Sequence, residues 1–181
     1  MGFGLCAVGY LFLFCFLFGG DIAGYVLIAV GAAKLSRYDK SFSYASFSAY
    51  ALLPVGLYNL FAFLNTAYDF VSSSTLLTVS YVVNALYIFA SLFMCTFIFT
   101  GVQNLAIKAG ERSIAQKASF VKGLSLVYFA FSGIGSILGG AGVVGALTSL
   151  GKFLVLIVNT VFLIYCYASF TVRKGDPDDD E

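Results

Sequence analysis

The chain has 181 residues, of which 60% are hydrophobic and 10% charged, and it carries a net charge of +1. A soluble domain has roughly 45–50% apolar and about 25% charged residues, so this chain lacks the polar surface to coat a globule in water. The small net charge gives no general attraction to nucleic acid, and the mean hydropathy of +0.94 points to lipid as the solvent.

The apolar residues fall in long uncharged blocks, and a helix needs ~20 of them to cross ~30 Å of hydrocarbon. Six blocks stand out: residues 2–18, 22–35, about 44–67, 74 to beyond 103, about 119–138, and 153–170. The first opens on "MGFGLCAVGY", with no Lys or Arg and no small-residue cleavage site after it, unlike a cleaved signal peptide. Cys6 stands where a myristoylation pattern wants Ser or Thr. The block is expected to be a retained membrane helix.

The second block follows the turn "GGDIAGY" and ends at Lys34. Thirteen residues separate Asp21 from Lys34, or about 20 Å at ~1.5 Å per residue. Either Lys34 snorkels and the bilayer thins, or the first two helices form a hairpin that dips without crossing. Asp21 has two readings: an N-cap of the second helix on a wet outer turn, or a buried pair with Lys152.

Pro54 lies midway along the third block and predicts a kink, because it removes one helical hydrogen bond. The fourth block has no charge before Lys108. Its length predicts a helix whose end, "VQNLAIKAGERSIAQKA", projects into the cytoplasm or lies along the interface. Asn59, Asn84 and Asn159 fall inside helices, where they either hydrogen-bond between helices or line a polar path.

Between the last two blocks stands "GGAGVVG", whose final six residues fit G-x-G-x-x-G. A dinucleotide loop needs a strand before it and an acid about 20 residues on. Here a membrane helix precedes it and Tyr165 stands at that distance. The glycines read instead as packing and turning residues. Gly135 and Gly139 make a G-x-x-x-G pair, which lets helices approach closely. Gly24 and Gly31 are further candidate packing positions, and Pro54 is the candidate hinge. "SLGK" at residues 149–152 matches S-x-x-K, but the companion S-D-N and K-T-G motifs are missing. Lys152 reads as an anchor for the outer end of the last helix. The tail "RKGDPDDDE" reads as a solvated, disordered cytoplasmic segment over residues 172–181, and residues 1–171 as the transmembrane domain.

Nine of the ten basic residues fall in three clusters, at 34–40, 108–122 and 173–174, and Lys152 is the exception. If all six blocks cross, the three clusters share one face with the N-terminus. Basic residues in short loops stay cytoplasmic. The expected fold is therefore all-α: an integral membrane helical bundle of about six transmembrane helices, multi-pass in the plasma membrane, with both termini inside. Four cysteines occur without a C-x-x-C and without any His, so no metal site and no cofactor is expected. The cysteines read as small buried thiols in lipid or helix contacts.

The stretch "GDIAGYVLIAVGAAKLSRYDKSF" resembles a group of small polytopic membrane proteins from Firmicutes-type bacteria, through Asp21, Gly24, Tyr25, Lys34, Leu35, Ser36 and Tyr38. That group has Pro before the Asp, where this chain has Gly20. The resemblance covers about 25 residues, implies a bacterial inner-membrane location, and implies no activity.

Three functions are open. The expected one is a non-enzymatic scaffold, assembly factor or regulator, in contact with the lipid bilayer and with a membrane-protein partner or its own copies. The alternative is a small-solute or ion transporter or channel, although no charged residue falls near the middle of a predicted helix, where ion relays place them. Asp21, Lys152, Asn84 and Asn159 are the candidate functional polar residues, whichever function holds. The third, a membrane enzyme, has few groups for acid–base chemistry; no catalytic residue is assigned.

Overall fold

The structure is a computed structural model that describes residues 2–14, 20–68, 70–137 and 143–172. Among the described residues it holds seven helices and no strand: α1 (Gly2–Phe12), α2 (Gly20–Leu35), α3 (Ser41–Ala51), α4 (Leu53–Tyr68), α5 (Ser73–Lys108), α6 (Arg112–Ile137) and α7 (Val143–Val172). Four stretches are long and apolar enough to cross a membrane: Ser41–Thr66, Ser74–Lys108, Arg112–Gly135 and Gly145–Phe170. The all-helical expectation holds, and the length criterion reaches four of the six expected spans. The remaining two, α1 with 11 residues and α2 with 16, are ~16 and ~24 Å long at the helical rise.

α1 and α2 form an antiparallel hairpin whose backbones touch. A methyl group built on Gly24 would lie 2.8 Å from the carbonyl oxygen of Gly9, and one on Gly31 would lie 2.8 Å from that of Gly2. So close an approach is possible because glycines, which carry no side chain, stand at the contact. Gly24 and Gly31 thus stand where the α1 and α2 backbones meet.

The third block splits in two. α3 ends at Ala51, and Leu52 donates its N–H to the Ala49 carbonyl over 3.2 Å before α4 begins. Pro54, two residues on, has no N–H to give the preceding turn. The helix is broken at Leu52, two residues before Pro54.

The fourth block ends earlier than its charge pattern suggests. The Glu111 N–H reaches the Ala106 carbonyl at 2.8 Å, and the Gly110 N–H reaches that of Ile107 at 3.1 Å. Gly110 has φ +76°. This double clasp closes a helix C-terminus and needs a residue at ease in the left-handed region. The helix therefore stops at Lys108, and "RSIAQKA" opens α6 rather than projecting from α5. α7 likewise starts ten residues before 153, so Val143–Gly151 is helix. Gly135 is buried near the end of α6. Gly139, Cys15 and the acidic tail from Arg173 lie outside the described residues.

Aromatic and latch contacts gather one end of the bundle. Phe3 stacks on Phe170 at 5.5 Å and meets Phe42 edge-on at 6.0 Å. Asp39, in the α2–α3 loop, accepts from Asn104 at 3.2 Å and from Lys108 at 3.5 Å on α5. Lys34, Arg37, Lys40, Lys108, Arg112 and Lys117 all belong to this basic end. Next to it the core is dry and closed, with Phe42, Ile98, Phe99, Val102 and Leu163 fully buried.

Candidate functional site

Away from the basic end the bundle is different. A cavity of about 290 Å³ lies beside the start of α2, and its walls include Asp21 and Tyr25 from α2, Tyr58 and Asn59 from α4, Asn84 from α5 and Lys152 from α7. Asn59 stands nine residues before the end of α4, Asn84 eleven after the start of α5, and Lys152 nine after the start of α7. At the helical rise these are all ~14–17 Å from the helix ends. The polar groups thus form one layer across the bundle.

Each wall follows from helical spacing. On α5, Ser80, Asn84 and Tyr87 recur at i, i+4 and i+7, which puts them on one face. On α7, Lys152, Leu156 and Asn159 do the same, and on α2 Asp21 and Tyr25 are four apart. The cavity floor is acidic. Asp21 is 2% exposed. One of its oxygens accepts from the Ile22 N–H at 3.0 Å, and the other from the Asn59 amide at 2.8 Å. Asp21 lies within the first turn of α2, not before it, and its carboxylate is turned toward α4. Lys152 is half-buried, with its ammonium 5.3 Å from the centre of the Tyr87 ring. Asn59 and Asn84 are exposed at the mouth.

A smaller gap of about 20 Å³ continues the cavity past Lys152 and Tyr87 to Cys95 and Asn159. That is room for about one water. Asn159 is 1% exposed; it accepts from the Ser125 hydroxyl at 3.3 Å and donates to the Cys95 sulfur at 3.8 Å. Cys95 also meets the Tyr10 hydroxyl at 3.2 Å. Phe99 and Phe162, with ring centres 5.8 Å apart, close the core further on.

Of the residues singled out from sequence, Asp21, Asn84 and Lys152 share the main cavity, and Asn159 sits one step deeper. Asn59 and Asn159 both make hydrogen bonds between helices. Cys6, Cys95 and Cys166 are free and buried. Sequence reasoning missed Tyr25, Tyr58, Tyr87 and Ser80, although the i, i+4, i+7 spacing around Asn84 would have found two of them. It also missed the Asp39 latch.

The fold and cavity define a helical chain with four membrane-capable helices and a polar pocket among them. Comparison with known proteins brings no family model, no curated protein and no solved structure that matches the chain.

Proposed function

We propose that this chain is a multi-pass plasma-membrane protein that binds a small polar solute in the cavity beside the start of α2, and that it acts as a transporter or channel. The observation that carries the reading is the cavity itself, in which an acid, a base and two amides from four different helices meet. Charged groups inside an apolar bundle are costly and mark solute or ion paths by default. Transporter sites lie at interrupted or short helices, and here the hairpin is short and the α3–α4 helix is broken at Leu52. The positive-inside bias supports six crossings, with the hairpin counted as two, and both termini in the cytoplasm. The cavity then opens toward the outer side. The resemblance at residues 21–38 supports a bacterial inner membrane. Asp21 is the single carboxylate among the described cavity residues, opposite one base, Lys152, a pair suited to holding a polar solute.

Thermal unfolding of the purified protein against a panel of amino acids, sugars, polyols, amines and small cations tests the reading. A solute at 100 times its Kd stabilises by about 2.7 kcal/mol. Asp21→Asn and Lys152→Met should abolish the shift, and the same solute should cross liposomes that contain the protein. If no solute shifts the transition, or both variants respond like the parent, the reading is lost.

A second reading, the scaffold or regulatory partner, draws on one observation. Asn59 and Asn84 are exposed among large apolar side chains such as Leu57, Phe61 and Tyr81. A helix from a partner or a second copy would cover that apolar surface. Stoichiometric co-purification from native membranes is the result expected of it.

A further inference from the structure

On the flank of the bundle, α6 and α7 leave a groove of about 670 Å³ that runs toward the basic end. Its walls are Phe120 and Val121 from α6 and Ile157, Val158, Val161 and Phe162 from α7. Gln116, Lys117 and Tyr165 stand at one end. Phe120, Ile157 and Val161 are exposed, so the apolar trough opens onto the surface of the bundle.

We propose that this groove binds an anionic phospholipid, with one acyl chain between α6 and α7 and the phosphodiester at Lys117. Three observations carry this. The charge is in the right place: the trough is apolar along its length and ends in a cation and a hydroxyl, the order of groups along a lipid read from tail to head. The cation is also pre-positioned. The Lys117 ammonium lies 3.4 Å from the Tyr165 hydroxyl and 4.4 Å from the centre of the same ring. That clasp holds it across the groove end, and an ammonium has three donors, so one bond to Tyr165 leaves capacity for a phosphate oxygen. Finally, the walls do not suit a helix. Helix–helix contacts in membranes favour Gly, Ala and Ser, which let backbones approach; here the lining is aromatic and β-branched, a surface that a flexible chain can follow. Arg112 at the start of α6 adds positive charge at the same end. The inference does not depend on the solute cavity, which lies toward the opposite end.

Native mass spectrometry of the full chain in mild detergent tests it, with phosphatidylglycerol and phosphatidylcholine of identical acyl chains offered together. The expected result is a bound phosphatidylglycerol with a roughly fivefold preference, the size of one Lys contact at an anionic lipid surface. Lys117→Gln should retain lipid but lose the preference. Val161→Trp, which fills the trough from an outward-facing position, should lose both lipids. Leu154→Trp, also exposed on α7 but outside the groove, should behave as the parent and report on folding. Equal retention of the two lipids by the parent, or a preference that survives Lys117→Gln, overturns the proposal. So does a delipidated dimer cross-linked through Phe120→Cys, which would make a second copy the occupant.

Discussion

Asn59 on α4 donates its amide to the Asp21 carboxylate on α2 across 2.8 Å. This bond ties the tip of the short hairpin to the helix beyond the Leu52 break, and it fixes the acid on the cavity floor. Asn59→Leu leaves one oxygen of a buried carboxylate without its donor, which costs about 1–3 kcal/mol. Asp21→Asn in the same background should recover part of that loss. The pair is expected to couple by ~0.5–3 kcal/mol in a double-mutant cycle read by unfolding in mixed micelles. The same cycle with Lys152→Met tests a buried Asp21–Lys152 pair. Effects that simply add would remove the corresponding link.

Asp39 gives the latch at the basic end a pH dependence. Its partial burial pushes its pKa up, but the hydrogen bonds from Ser41, Asn104 and Lys108 outweigh burial and hold it below the usual carboxylate value. A depressed folded-state pKa contributes stability that is present above the unfolded value, about 3.9, and is lost as pH falls through the folded one. The melting temperature should therefore drop more steeply below about pH 4 in the parent than in Asp39→Asn. The variant should be the less stable of the two at neutral pH. Parallel curves would mean that the latch does not titrate with folding.

Gly24 links hairpin packing to the cavity. A methyl group there would meet the Gly9 carbonyl oxygen at 2.8 Å and the Leu13 side chain at 2.8 Å, and Leu13 lines the cavity. Gly24→Ala should cost ~1–3 kcal/mol, as overpacking does, and should push Leu13 into the solute space and weaken binding. Gly123→Ala is the control. Nothing lies within 4 Å of a methyl group at that position, and Ala in a helix interior gains roughly 0.5–1 kcal/mol over Gly. If the two variants melt alike, the close approach of α1 and α2 is not what holds the hairpin.

Much of this architecture is legible in spacing alone. The polar stripe Ser80–Asn84–Tyr87, the stripe Lys152–Leu156–Asn159 and the Pro54 hinge are local patterns, and local patterns survive without knowledge of the fold. Which stripes face each other is not local. Asn59 meets Asp21 across 38 residues of sequence, and no periodicity within either helix encodes that. The start of α7 escaped for a different reason. Glycines signal turns in water, but lipid-embedded helices tolerate them, so Gly145 and Gly151 sit inside a helix that a soluble-protein rule would end.

Threading direction is the last property to test, and α3–α4 makes the test sharp. Ser36 and Ser72 flank one apolar stretch, Ser41–Thr66, of 26 residues, which is long enough to span ~30 Å of hydrocarbon. A stretch that crosses puts the two serines on opposite sides, and the basic residues set the direction. With Lys34, Arg37 and Lys40 beside it, Ser36 is expected inside. In a background with all four cysteines replaced by Ala, Ser72→Cys should react with a membrane-impermeant maleimide on intact cells. Ser36→Cys should react only after permeabilisation. Reaction of both on intact cells would mean that the stretch does not cross. The reverse order would turn the bundle over and put the mouth of the solute cavity in the cytoplasm.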